Sequence, residues 1–287
     1  MKKGAVTISI DVELAWGNWD NLTRESLENV EQKERLIVAK LIEILERHEV
    51  PATWAIVAGL LDPVGSAGRS GSQHCWYAPD VVEAITASSV RHDIGSHGGR
   101  HIYLDAVSSE EANEDLDFAR DTYRENGLTC TSFVFPRNKV GNKAIVARHG
   151  FQVYRGEDLA WHQRIRSRQP LAGRLANLVD KMLPIAPKPV QPLGDCGMIN
   201  LPGSMLFMSR NGLRSFARTE VIRTKLQKGI AAAIEQDGVF HLWFHPSNFY
   251  HQSTSQFAIF EGFVSRLNYL ASRDRLEVKT MASFAQR

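Results

Sequence analysis

Short apolar runs that end in an acid, a histidine or an arginine recur along this chain, and segments of helical period separate them. Residues 5–10 form one such run before Asp11, and residues 239–244 form another before His245. Residues 52–60, 131–135, 151–154 and 198–201, with shorter pieces at 93–97 and near Leu276, read as further strands. The helical segments are 24–48, 79–88, one behind Ser108, 143–149, 213–235, 257–270 and a terminal turn. In the first, Ile37, Leu41, Ile44 and Leu45 share a face. Ser108 with Glu111 has the spacing of a capping box, ahead of a stripe of Ala112, Leu116, Ala119 and Tyr123. Strand–helix alternation sustained over this length implies a parallel sheet, open or closed into a barrel. In both architectures the chemistry lies at the carboxyl ends of the strands. Asp11, His97, Arg137, Arg155 and His245 each end or closely follow an apolar run.

A chain of 287 residues has room for one barrel-sized domain, and residues 1–287 are read as one. The formal charge of +2, with no basic stretch interleaved with aromatics, excludes nucleic acid as a partner. Cys75, Cys130 and Cys196 lie far apart, so no cysteine-rich metal cluster is present. A reduced compartment is expected, with all three as small core residues. Lys2 and Lys3 precede an apolar run, but Asp11 ends that run before it reaches signal-peptide length. No other apolar stretch is long enough for a bilayer, and a cytoplasmic location is expected.

Residues 163–197 break the alternation with Pro170, Pro184, Pro187, Pro189 and Pro192. A segment this long inside a compact domain is expected to be a lid or binding insertion. Leu171, Leu175, Leu178 and Met182 recur in it at helical spacing among Arg164, Arg166, Arg168, Arg174, Lys181 and Lys188. Such a basic amphipathic stretch suits either a lid packed on the barrel or peripheral membrane contact through residues 164–188.

His97 and His101 stand four residues apart, which on a helix puts two imidazoles within reach of one metal. Two acids at the end of an apolar strand, Asp11 and Glu13, are costly to bury unless they serve a metal, an ion pair or catalysis. Two histidines and one carboxylate leave an open position for water, as in catalytic zinc sites.

At these residues the chain resembles the polysaccharide deacetylase (NodB-like) family, carbohydrate esterase family 4. Ser9–Ile10–Asp11–Val12–Glu13 matches a variant of its acidic motif, and Ile94–Gly95–Ser96–His97–Gly98–Gly99–Arg100–His101 its His-x-x-x-His motif. Pro51–Ala52–Thr53–Trp54 resembles its second strand, and Leu242–Trp243–Phe244–His245–Pro246 its terminal histidine motif. The resemblance implies a distorted (β/α) barrel, usually of seven strands, that removes acetyl groups from glycans. It implies Asp11 as general base and His245 as general acid. Glu13, His97 and His101 are implied to bind one divalent metal, zinc first and cobalt, nickel, iron or manganese as alternatives. Arg137, in Phe135–Pro136–Arg137–Asn138, is expected to pair with and orient Asp11. Trp16, Asn138 and Arg155 are the expected substrate contacts. Glu157, Asp158 and Trp161 are the candidates for the family's fourth motif.

The expected substrate is an N-acetylated sugar carried on a nucleotide or a lipid, an intermediate of surface-polysaccharide biosynthesis. Competing readings are a related hydrolase for formyl groups or cyclic amides, a non-catalytic glycan-binding relative, and an iron oxygenase with the same donors. The acids have a rival role in an ion pair with Arg137 or Arg155, and Trp16, Trp19, Trp54 and Trp243 one in packing. Composition fixes no oligomeric state.

Overall fold

The computed structural model describes residues 3–158, 180 and 182–285. Strand β1 (Ala5–Val12) is buried along its whole length. It belongs to a ten-stranded sheet that also holds β2 (Thr53–Ile56), β3 (Asp93–Ser96), β4 (Ser132–Val134) and β5 (Val153–Arg155). The remaining strands are β6 (Leu193–Asp195), β7 (Met198–Asn200), β8 (Met205–Leu206), β9 (Val239–Phe244) and β10 (Glu277–Val278). The spatial order is β6-β7-β5-β4-β3-β2-β1-β9-β8, with β10 beside β1.

Every pair is parallel except the β6–β7 hairpin. Residues 198–207 close the sheet on itself. Their first part pairs with β5, and their second part pairs with β9. Main-chain bonds from Leu201 to Tyr154, Ser204 to His241 and Phe207 to Trp243 carry the seam between the two. Counting β7 and β8 as one broken strand, the barrel comprises β1, β2, β3, β4, β5, β7–β8 and β9, the seven expected. The fold is a distorted (β/α) barrel in a single domain.

The helices follow from the sequence in most places. Thr23 caps α1 (Arg24–Asn29), and a π turn (Val30–Glu34) leads into α2 (Arg35–Arg47), which buries Ile37, Val38, Leu41, Ile44 and Leu45. Then come α3 (Pro63–Ser66) and α4 (Pro79–Thr86). Helix α5 (Ser109–Glu125) has both bonds of the capping box at Ser108. It is followed by α6 (Lys143–Arg148), α7 (Thr219–Gln236) and α8 (Ser253–Ala271).

Two expectations are corrected. The helix read over 213–235 is two elements, a 3-10 turn (Gly212–Phe216) and α7, because Ala217 and Arg218 are extended. Leu213 and Phe216 are exposed and hold no helix to the core. Second, only Cys75 is a buried cysteine, whereas Cys196 is exposed in the β6–β7 turn with φ +51°. The proline-rich stretch ends in β6 and the turn toward β7, and its Val190 bridges to Val239. Leu171, Leu175, Leu178 and the basic residues up to Lys181 lie outside the described residues. Met182 packs, partly buried, against the main core.

Candidate active site

Register places the acids and the terminal histidine side by side. Ile10 pairs with Phe244, so Asp11 and His245 leave neighbouring strands at the same level. His245 Nε2 lies 3.5 Å from Asp11 Oδ2 and 3.7 Å from Glu13 Oε1. His97 follows β3 on the other side. All four stand at the carboxyl end of the barrel, where parallel strands present their chemistry.

Glu13, His97 and His101 form a cluster whose ligand atoms all lie within 4.8 Å of one another. The histidine pair rides on a loop, not the helix that its spacing suggests. Gly98 at φ +81° and His101 at φ +59° exclude helical backbone. Left-handed backbone at a non-glycine residue is strained by roughly 1–3 kcal/mol and persists only where its surroundings enforce it. Asp115 does so: its carboxylate accepts from Gly99 N–H at 2.7 Å and Arg100 N–H at 2.8 Å. Tyr123 adds a bond to the Ile56 carbonyl. The signal for Asp115 was a lone acid on the apolar stripe of α5, one residue before Leu116.

The donor set fits a divalent metal. His97 Nδ1 lies 2.8 Å from the Val134 carbonyl, so Nδ1 carries the proton and Nε2 offers its lone pair toward Glu13. His101 Nε2 is 3.0 Å from Glu13 Oε2 without being hydrogen-bonded to it, and both ring nitrogens of this buried residue lack a hydrogen-bond partner. Buried imidazole nitrogens seldom go unpaired unless something else binds them. Gly17 leaves room for the carboxylate, since a Cβ there would fall 1.9 Å from Glu13 Oε1.

Asp11 is held from across the barrel. Arg155, fully buried on β5, donates from Nη1 to Asp11 Oδ1 at 2.8 Å and from Nη2 to Asp11 Oδ2 at 2.6 Å. Its remaining N–H groups reach Ser9 Oγ at 2.9 Å and Asn138 Oδ1 at 2.9 and 3.0 Å. All five guanidinium donors are thereby used. Burial pushes the Asp11 carboxyl up, but Arg155, then His97 and His245, hold it below the ordinary carboxylate range. Glu13 is likewise pushed up by burial and brought well below by His245 and His101.

Two expected side chains fall elsewhere. Arg137 does not meet Asp11: its guanidinium donates to the Gly17 carbonyl and to Asp20 at the cavity mouth. Its backbone φ of +55° turns the side chain outward, and Arg155 takes the place expected for it. Trp16 is 1 % exposed and packs edge-on against Trp76, so it is a core residue out of reach of a sugar. Asn138 lines the cavity with its carbonyl oxygen committed to Arg155. The aromatic wall is Trp243, which lies 4.3 Å beneath the Arg155 guanidinium and meets the His245 ring edge-on. Trp243 Nε1 donates to Asp158, whose carboxyl burial raises to about 6.

His241 anchors Ser9 from inside the barrel. Its Nδ1 faces the Leu201 and Pro202 carbonyls, so Nε2 must accept from the Ser9 hydroxyl, 2.9 Å away. Burial, with the Arg155 charge next, pushes this imidazole down to about 3. The unfolded chain takes up a proton here below about pH 6.5, and the folded chain refuses it. Stability owed to neutral His241 is therefore full above that pH and lost on acidification. The destabilisation caused by His241→Gln is expected to shrink by about 2 kcal/mol between pH 7 and pH 5. Urea titrations at both values test this, and an equal cost at both would remove His241 from the network.

Residues 28–154, just under half of the chain, match the sequence model of a family described as polysaccharide deacetylase. This stretch belongs to the polysaccharide deacetylase family. The match includes both histidines of the cluster and stops one residue short of Arg155. Asp11, Glu13 and His245 lie outside it, and the barrel brings them in. No curated protein matches the chain. Among solved structures, one from Mycobacterium smegmatis that bears the polysaccharide deacetylase name is 16% identical at a TM-score of 0.66, covering 99% of this chain and 89% of that one. Another bearing that name, from Pseudomonas aeruginosa PAO1, is 14% identical at 0.62, covering 97% and 89%. The structure of Puue allantoinase is 13% identical at 0.63, covering 97% and 88%. At these identities the likeness is one of fold.

Proposed function

We propose that this chain is a metal-dependent hydrolase that removes an N-acetyl group from a sugar, with residues 1–287 acting as one catalytic domain. The observation that carries the reading is the meeting of Asp11 and His245 beside the Glu13–His97–His101 donors on the floor of one cavity. Glu13, His97 and His101 would hold a divalent metal, zinc by ligand type, with cobalt, nickel, iron or manganese fitting the same donors. The metal would supply Lewis acidity to the acetyl carbonyl and to water.

The chain's own groups do the rest. Asp11, kept ionised by Arg155, accepts the proton of the attacking water. His245, a quarter exposed, donates to the departing amine, which leaves poorly unless protonated. Trp243 and Asn138 line the space above. The substrate we favour is a sugar on a nucleotide or lipid carrier, an intermediate of surface-polysaccharide synthesis in the cytoplasm. No described helix is long and apolar enough to cross a membrane. Membrane contact through residues 164–188 remains part of this proposal and rests on sequence alone.

Acetate release from N-acetylhexosamines, free and nucleotide-linked, tests the activity. Opening of a cyclic amide without acetate release would move the chain to the amidase reading. Purified wild-type protein is expected to carry one divalent ion per chain, and His97→Ala and His101→Ala to lose it. Unchanged stoichiometry in both would sink the ligand set. His245→Ala is expected to lower N-acetyl hydrolysis roughly 10²–10⁴-fold. The loss should be smaller on an O-acetyl sugar, whose leaving group needs less protonation, and equal losses would remove the acid role.

A further inference from the structure

The cavity above Asp11, Glu13 and His245 has a volume of about 600 Å³ and extends well past an acetamido group. Ser26, Asn29, Glu34, Asn248 and Tyr250 line it beyond the acids. Glu34 stands out among them. It is 2 % exposed and ends the π turn Val30–Glu34. On α2 it continues the core stripe one turn ahead of Ile37 and Val38, where an aliphatic side chain would ordinarily pack. Single π turns inside helices are frequent at functional sites.

Among the described residues this carboxyl has no cationic partner in an ion pair. The neighbouring Arg35 is committed to Asp80, and Lys33 rests over the Tyr250 ring. The Tyr250 hydroxyl donates to Glu34 Oε2. Among the described residues Oε1 has no hydrogen-bond partner, and Glu34 lines the cavity. Burial raises the group to about 7. A carboxyl kept at a core position, half satisfied and facing a cavity, is costly unless a ligand completes it.

We propose that Glu34, held by Tyr250, is a specificity residue that hydrogen-bonds a hydroxyl group of the bound sugar, at a ring position other than the one bearing the acetyl group. A hydroxyl both donates and accepts, and so matches this carboxyl in either protonation state. Sites built around such a bond discriminate strongly against analogues that lack the hydroxyl, because the buried partner is then left unpaired. The inference takes from the deacetylase reading only that the cavity holds a sugar.

The test compares wild type, Glu34→Gln and Tyr250→Phe on N-acetylglucosamine, N-acetylgalactosamine and their monodeoxy analogues. Both kcat/KM for acetate release and binding by ligand-observed NMR are measured, since binding does not require turnover. Wild type is expected to prefer a parent sugar over one monodeoxy analogue by roughly tenfold or more. In both variants the parent should fall to the level of that analogue, and the analogue itself should be unchanged. Glu34→Gln preserves shape and should keep its melting temperature. Variants that lose all sugars alike, or that retain the wild-type preference, overturn the proposal, as does a wild type that binds none of the panel. A preference seen in binding without any acetate release would support Glu34 while overturning the deacetylase reading.

Discussion

Arg155→Met is expected to destabilise the chain by about 3–5 kcal/mol at pH 7, because it leaves the buried Asp11 carboxylate with no partner. The mechanism is electrostatic, so the loss should depend on pH in a defined direction. Removing the guanidinium takes away the strongest influence that lowers Asp11, so burial raises its pKa relative to the wild type. A carboxyl raised in the folded state favours folding at low pH, so the cost of Arg155→Met should shrink as pH falls toward 5. Denaturant unfolding at pH 5 and 7 measures both quantities. Arg155→Lys should restore little, since three donors on a point charge replace a five-donor fork. The double variant Asp11→Asn/Arg155→Met should be more stable than the sum of the singles predicts. Strict additivity would mean that the pair is not a coupled unit.

Asp11→Asn is expected to lower turnover on an N-acetyl sugar by roughly 10²–10⁴-fold while leaving metal stoichiometry unchanged. The metal donors are Glu13, His97 and His101, and none of them needs Asp11 for its position. Some stability should also be lost, because an amide accepts at one atom where the carboxylate serves Arg155 at two. The informative pair of measurements is therefore metal content and turnover on the same preparation. Near wild-type turnover would make Asp11 an anchor for Arg155 and nothing more. Loss of metal together with turnover would place Asp11 among the ligands.

The strands that carry chemistry were legible because burial and a terminal charge leave a mark in one dimension. Residues 5–10 and 239–244 read as buried strands, and the polar groups behind them meet as expected. The partner of Asp11 was harder to assign. Arg137 closely follows its strand, but its left-handed backbone, invisible in the sequence, turns it outward. Arg155 reaches Asp11 across the barrel from β5, which is not a neighbour of β1. No periodicity encodes a contact of that kind. Trp16 showed the same gap: a tryptophan in a polar loop looks like a ligand platform until a 3-10 turn (Leu14–Asn18) tucks it under Trp76. Glu34 left a trace that local reading discounts, an acid on the apolar stripe of a helix. The outer strand of the β6–β7 hairpin left none, because it is largely exposed.

Of the barrel's strands, β1 is made first and waits longest for a neighbour. β1 pairs with β9 from Ala5 opposite Val239 to Ile10 opposite Phe244, and with β10 at Glu277. During synthesis at roughly 5–20 residues per second, a strand that is buried along its whole length in the fold therefore waits on the order of ten to fifty seconds for the neighbour that covers its open edge. The nascent chain carries a template for unwanted pairing throughout that interval, and contacts so distant in sequence make for slow assembly. A ribosome-bound intermediate stalled before residue 239 should thus be protease-sensitive and inclined to bind chaperones. Asp11 and its arginine can already be present in such a chain, but His245 cannot, so chemistry switches on only when β9 docks.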